Sequence, residues 1–188
     1  MAGGRARRLG GMDKGLLEVG GRRMVAREVD ALKQIAGEIL LVAGDPVPYA
    51  GVDGVRVVLD HNPGLGPLAG LQAAFSASTA DALLVVGCDL PFLDPRLLAL
   101  VRDAAPTAQA VVPRVAGHAQ ALHARYGRSA VAEIDARLRA GSLRLLALVD
   151  ALDTTFLDEP ELRAVDPTLR GLTNVNTPEE LAAARASA

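Results

Sequence analysis

The chain has 188 residues, with 20 Lys plus Arg against 22 Asp plus Glu and a formal net charge of −2. Hydrophobic residues make up 50% but aromatics only 3%, and Trp is absent, so the core has to be built from Ala, Val and Leu. A single Cys excludes an internal disulfide and a cysteine-built zinc site, mixed charge disfavours disorder and a polycationic nucleic-acid coat, and no apolar run approaches the roughly 18 to 20 residues that span a bilayer. Length predicts one domain over 1–188. The amino end is basic and glycine-rich and lacks the apolar core of a secretory signal, which predicts a cytoplasmic protein with one reduced thiol, Cys88.

In chain order, Val25, Val29, Leu32 and Ala36 recur at helical spacing and predict an amphipathic helix over 22–36, closed by Gly37. Residues 38–43 and 55–59 are rich in β-branched side chains and predict short buried strands. Pro67 suits a first helical position, and Leu68, Leu71 and Phe75 mark one face of the helix it opens. The run over 82–87 is the most apolar, and a strand covered on both faces is expected there at the centre of the sheet. It delivers Cys88, Asp89, Leu90 and Pro91 to its carboxyl end. Asp94-Pro95 opens a further helix, 109–113 predicts a strand and 117–126 a hairpin or irregular strand. Helices are expected over 129–140, 142–149 and 177–185, the last opened by Thr177-Pro-Glu-Glu180, a capping box with Pro at the first helical position. This alternation predicts an α/β protein with a largely parallel sheet.

Four segments carry candidate chemistry. Gly3-Gly4 and Gly10-Gly11 bracket Arg5, Arg7 and Arg8, and Asp13-Lys14 follows, so residues 1–14 hold four basic side chains against one acidic. Glycines free backbone N–H groups to turn toward one oxyanion-rich ligand and the cations add charge-assisted bonds, which suits a triphosphate. The spacing fits neither the G-x-x-x-x-G-K-[ST] loop nor the dinucleotide G-x-G-x-x-G, and a basic terminus without a ligand is the competing reading. Asp89 ends an apolar strand, where ligands of open α/β sheets collect, and a hard oxygen ligand there suits Mg²⁺; the competing reading is a loop or capping Asp. Asp60 stands similarly after 55–59, near Gly64, Gly66 and Gly70, with a turn-forming role as its alternative. Asn174 and Asn176 face one side of an extended segment by the period of two. No metal spacing or catalytic partnership involves His61, His118 or His123, and Cys88 reads as a small buried residue.

Taken together, Met1-Ala-Gly-Gly-Arg-Ala-Arg-Arg-Leu-Gly-Gly-Met-Asp-Lys14, Gly66-Pro-Leu-Ala-Gly70, Cys88-Asp-Leu-Pro91 and Asn174-Val-Asn-Thr-Pro-Glu-Glu-Leu181 resemble the molybdenum cofactor guanylyltransferases, in order and over nearly the whole chain. The resemblance implies a Rossmann-like three-layer α/β/α nucleotidyltransferase fold with a mostly parallel sheet. It implies transfer of GMP from GTP to molybdopterin, with pyrophosphate released and Mg²⁺ required. Carried over by motif position, Lys14, Asp89 and Arg8 form the expected catalytic set, and Ala2, Gly3, Gly4, Lys14, Asp60 and Asp89 the expected GTP-binding set. Asp89 is the implied metal ligand, and Asn174 and Asn176 stand on the implied molybdopterin side. Molybdopterin-delivering and molybdoenzyme-maturation proteins are implied partners, nucleic acid and membrane are not, and a monomer or weak oligomer is expected.

The sequence departs from that family at three places. Met1 occupies the position of the last residue of the family's first strand, so that strand is expected to be truncated, with an in-frame apolar segment encoded upstream; a stop codon directly before Met1 would refute this. Val42 stands where some relatives carry Asn, and His118-Ala-Gln-Ala-Leu122 lacks a proline common in that region. The rival readings are a related cytidylyltransferase of the same fold, which Gly3 and Gly66-Pro-Leu-Ala-Gly70 disfavour, and a catalytically silent nucleotide-binding or cofactor-carrier protein.

Overall fold

A computed structural model describes residues 1–2 and 13–188. The Asp13 carboxylate accepts from the Gly15 N–H at 3.2 Å and caps a short 3₁₀ turn over Lys14–Leu16. Gly20 and Gly21, at φ 60° and 71°, then turn a two-residue hairpin joining β1 (Glu18–Val19) to β2 (Arg22–Arg23). That hairpin takes the first two residues of the expected helix, so α1 spans Met24–Leu32 and buries Val25, Glu28 and Val29. β3 (Leu40–Ala43) and β4 (Arg56–Leu59) pair in parallel, and α2 (Pro67–Ala77) begins on Pro67. After β5 (Ala82–Val86), the Asp94 side chain caps α3 (Pro95–Asp103). β6 (Ala110–Val115) turns through Ala116 and Gly117, both at positive φ, into β7 (His118–Ala119), and β8 (His123–Gly127) follows. α4 (Val131–Arg139), α5 (Leu145–Ala151), β9 (Thr154–Leu157), α6 (Glu159–Val165) and α7 (Pro178–Ala186) complete the described elements.

The five-stranded sheet runs in the order β5-β8-β6-β7, with β9 also pairing to β6. Its strands alternate faces with the period of two. Val85, Ala110, Val112, Ala124 and Tyr126 pack against α2, α4 and α5, whereas Val86 and Val111 pack on the side of α1, α3 and α6. Helices therefore cover both faces, giving the expected three layers.

The largely parallel sheet is borne out in part. Parallel pairing holds for β3 with β4 and β6 with β9, but β8 is antiparallel to both β5 and β6, and β7 to β6. The cause is local: the tight turn at Ala116-Gly117 folds the chain straight back, whereas a parallel return needs a crossover of a dozen or more residues. The position of β5 is corrected. Instead of lying centrally it ends the hydrogen-bonded order, and Ala82, Leu83 and Leu84 are only half-buried. On its outer side stand Met1, whose amino group donates to the Val86 carbonyl at 2.7 Å, and Ala2, whose peptide N–H donates to the Val42 carbonyl at 2.8 Å.

His123 on β8 is fully buried with both ring nitrogens lacking a partner among the described residues, and burial pulls its pKa down to about 4. In the unfolded chain the imidazole binds its proton near pH 6.5, so protons favour the unfolded state and stability falls as pH drops from about 6.5 to 4. Between pH 7 and 4 the wild type should lose roughly 3 kcal/mol more stability than His123→Leu. Urea unfolding of both proteins across that range checks this, and parallel curves would contradict it.

Candidate active site

The carboxyl end of β5 carries Gly87-Cys88-Asp89-Leu90, and two other segments fix it in place. The Leu90 N–H donates to the Glu28 carboxylate of α1 at 3.1 Å, and the Asp89 carbonyl accepts from the Val175 N–H at 2.8 Å. A Cβ on Gly87 would lie 2.7 Å from Asp89 Oδ1, so only glycine leaves that carboxylate its place. The peptide between Asp89 and Leu90 is thus held through both its carbonyl and its N–H, while the Asp89 side chain remains 21% exposed.

Lys14 reaches this carboxylate from the 3₁₀ turn, its Nζ donating to Asp89 Oδ2 at 3.0 Å. It also donates to Oδ1 of Asn176. Asn176 is itself fixed by its N–H, which donates to Glu180 Oε2 at 2.6 Å inside the capping box that opens α7. Three residues distant in sequence therefore converge on one point. Val175 is buried and both Asn174 and Asn176 are exposed, as the period of two predicts.

The other expected residues divide. Asp60 is buried at the end of β4, where its Oδ1 accepts from the Asn62 N–H at 2.8 Å, the turn-forming role given above as its alternative. It lies beside Gly70, whose Cβ would approach Asp60 Oδ2 to 3.8 Å, and among the described residues it makes no hydrogen bond to Lys14 or Asp89. The Ala2 N–H is spent on Val42, so it is not available to a phosphate. Gly3, Gly4 and Arg8 lie outside the described residues.

Glu28 and Tyr49 are additions that sequence reasoning missed. Glu28 is 4% exposed on the buried face of α1, and burial raises its carboxyl well above the ordinary range, partly opposed by the Leu90 N–H. Its signal was a charged residue three positions from Val25 on an apolar stripe. Tyr49 is fully buried, and its hydroxyl would stand 3.2 Å from a Cβ on Gly15, so tyrosine and glycine fit together beneath the Lys14 turn. Burial, then the neighbouring Asp13 carboxylate, raises the phenol pKa. The Cys88 thiol is pushed up to about 12 by burial, which keeps it protonated and unsuited to nucleophilic attack.

Glu28 acts on Asp89 through Leu90. Glu28→Ala should leave the Leu90 N–H buried and unpaired, costing about 1–3 kcal/mol, while Glu28→Gln keeps an acceptor. Turnover is expected to drop about tenfold in the alanine variant and to return nearly to wild type in the glutamine variant. Equal turnover in both would remove Glu28 from the account.

Residues 1–155 match the family model described as "MobA-like NTP transferase domain". The chain belongs to this family. A relative from Pelotomaculum thermopropionicum, named probable molybdenum cofactor guanylyltransferase, is 35% identical, with 100% of this chain and 91% of that protein covered. The molybdenum cofactor guanylyltransferase of Desulfosudis oleivorans is 31% identical over 100% of this chain and 93% of its own. Among solved structures, molybdopterin-guanine dinucleotide biosynthesis protein A from Archaeoglobus fulgidus superposes with a TM-score of 0.84 at 23% identity, covering 98% of this chain and 94% of that one. As a MobA-like NTP transferase the chain is a nucleotidyltransferase, and its α/β fold is that of the structural neighbour. No helix among the described residues is long and apolar enough to cross a membrane.

Proposed function

We propose that this MobA-like transferase moves GMP from GTP to molybdopterin, forming molybdopterin guanine dinucleotide and pyrophosphate. The observation that carries the reading is the convergence of Lys14, Asp89 and Asn176 at the carboxyl end of β5, in a chain whose full-length relatives are named for this reaction.

In this reading the terminal phosphate of molybdopterin attacks the α-phosphorus of GTP, a new P–O bond forms, and the bond to the β-phosphate breaks to release pyrophosphate. The nucleophile is already anionic, so the protein has little proton transfer to perform. Its task is to place two polyanions together and to offset their charge. Lys14 supplies an ammonium to the triphosphate, and Asn176 orients that ammonium when the phosphate is away. Asn174 and Asn176 present amides toward the acceptor side, and the motif positions of Arg8, Gly3 and Gly4 assign them to the phosphates.

The donor set suits Mg²⁺. The Asp89 carboxylate already accepts a cationic partner in Lys14, and among the described residues no group of three His, Cys, Asp or Glu forms a protein cage. A metal drawing one carboxylate from Asp89 and the rest of its ligands from phosphate and water matches the usual habit of Mg²⁺. When bound there, it adds positive charge to the triphosphate.

Pyrophosphate release with molybdopterin and Mg²⁺ tests the base preference, comparing GTP with CTP and ATP. Turnover should be confined largely to GTP. Equal turnover with CTP would support the related cytidylyltransferase, and nucleotide binding without turnover would support a silent carrier.

A further inference from the structure

Pro91, Phe92 and Leu93, which follow Asp89 and Leu90, line an open bowl of about 530 Å³. The outer face of α1 borders it on one side, and the start of α3 with the 166–171 segment on the other. Lys14, Asp89 and Asn176 do not line it, so the bowl stands apart from the candidate active site. Four guanidinium groups and three carboxylates surround this space, and all three carboxylates are already engaged. Asp30 pairs with Arg22 at 2.6 Å, and Asp94 pairs with Arg96 at 2.7 Å while also accepting from the Arg96 N–H at 2.8 Å. The buried Asp166 accepts from the Gly171 N–H at 2.8 Å, the Thr168 N–H at 3.1 Å and the Thr168 hydroxyl at 2.8 Å.

Arg27 and Arg170 remain. Among the described residues their guanidinium groups donate only to backbone carbonyls, Arg27 to Pro91 at 2.9 Å and Val19 at 3.3 Å, and Arg170 to Ser187. Both also lie over Phe92, with their centres 5.8 Å and 3.8 Å from the ring centroid. The face of an aromatic ring attracts a cation, but two cations on one ring repel each other and neither meets a neutralising charge. The ring and the carbonyl bonds fix both groups beside the bowl, and a guanidinium has more N–H donors than these bonds use. An anion seated against both would relieve the repulsion, and the space has the size of a small-molecule site.

We propose that this bowl is a second anion site, separate from the Lys14 and Asp89 cluster, and that it takes a small polyphosphate, either free or carried on a nucleoside. A carboxylate offers one planar edge to a single guanidinium fork. A diphosphate directs its oxygens several ways and can meet Arg27 and Arg170 together, because both lie within 5.8 Å of one ring centroid. Arg22 and Arg96, 56% and 71% exposed, supply two further forks at the edge of the bowl. Their pairs with Asp30 and Asp94 are of the weak surface kind, so either side chain can turn to the ligand.

Nuclear magnetic resonance on the full chain reads this site without turnover, so the outcome does not depend on guanylyl transfer. The Nε–H signals of Arg27 and Arg170 and the Gly171 amide report on the bowl, and the Lys14 and Asp89 amides report on the active site. With EDTA present, inorganic pyrophosphate should shift the three bowl signals along one saturating curve. Arg170→Gln, at an exposed position, should weaken binding read from the Gly171 amide by about tenfold or more and leave the Lys14 and Asp89 responses as in the wild type. Arg27→Gln should weaken it similarly; Arg27 also holds the Pro91 carbonyl, so Arg170→Gln decides the matter should that variant not fold. GDP separates the two sources of the phosphate: tighter binding than pyrophosphate assigns the nucleotide, and equal or weaker binding assigns the free anion. No bowl shift with either ligand, a Gly171 response unchanged by Arg170→Gln, or citrate bound as tightly as pyrophosphate would overturn the proposal.

Discussion

Asp89→Asn is expected to lower guanylyl transfer by about 10³-fold or more while leaving the fold in place. The substitution removes one negative charge at the carboxyl end of β5 but keeps the shape of the side chain. The backbone contacts that hold residue 89 do not use that charge, since its carbonyl accepts from Val175 and its neighbour Leu90 donates to Glu28. The loss should therefore fall on metal and triphosphate. Raising Mg²⁺ should recover part of the activity if affinity is the main deficit. Steady-state rates over a Mg²⁺ titration check this, and a variant with near-normal turnover would remove Asp89 from its assigned role.

Lys14→Ala is expected to reduce kcat/KM by about 10²-fold or more, the scale of losing one preorganised charge contact to a developing anion. Stability should hardly move, because a partly exposed ion pair such as Lys14 with Asp89 is worth only about 0–1 kcal/mol. Lys14→Arg should recover part of the rate by restoring the charge. A large drop in thermal midpoint with kcat/KM unchanged would mean that Lys14 serves the fold and not the substrate.

Most of the helices and the longer strands could be read from periodicity and punctuation, because Pro67, Asp94-Pro95 and Thr177-Pro178 each mark a helix start by a local cause. β9 and α6 escaped. Thr154–Leu157 is too short to show a period, although Asp158 and Glu161 form a capping box that announces α6. The hairpin of β1 and β2 was hidden because Arg22 and Arg23 could equally begin an amphipathic helix, and only Gly20-Gly21 pointed to a turn. Sheet direction was less legible still, since it depends on which strand lies between which, and no local pattern in 117–126 specifies that β8 enters between β5 and β6.

The site shows the same division. Lys14, Asp89 and Asn176 stood out by residue type and position, and they meet. Asp60 stood out on the same grounds but does not bond to them among the described residues, because a carboxylate after a strand can be consumed by its own turn, as the Asn62 N–H shows. Gly87 and Glu28 were not legible as site residues. Their importance lies in a distance to Asp89 Oδ1 and in a bond to Leu90, which only the packed structure supplies.

In the proposed reaction the Lys14, Asp89 and Asn176 cluster serves guanylyl transfer. Its most direct test is to incubate the protein with GTP labelled at the α-phosphate, molybdopterin and Mg²⁺, and to follow the label. Label appearing in a molybdopterin dinucleotide with one pyrophosphate released per transfer, and falling sharply in Asp89→Asn, is the predicted result. Label that remains in GTP with the wild type, or that transfers equally well with the variant, would contradict the account.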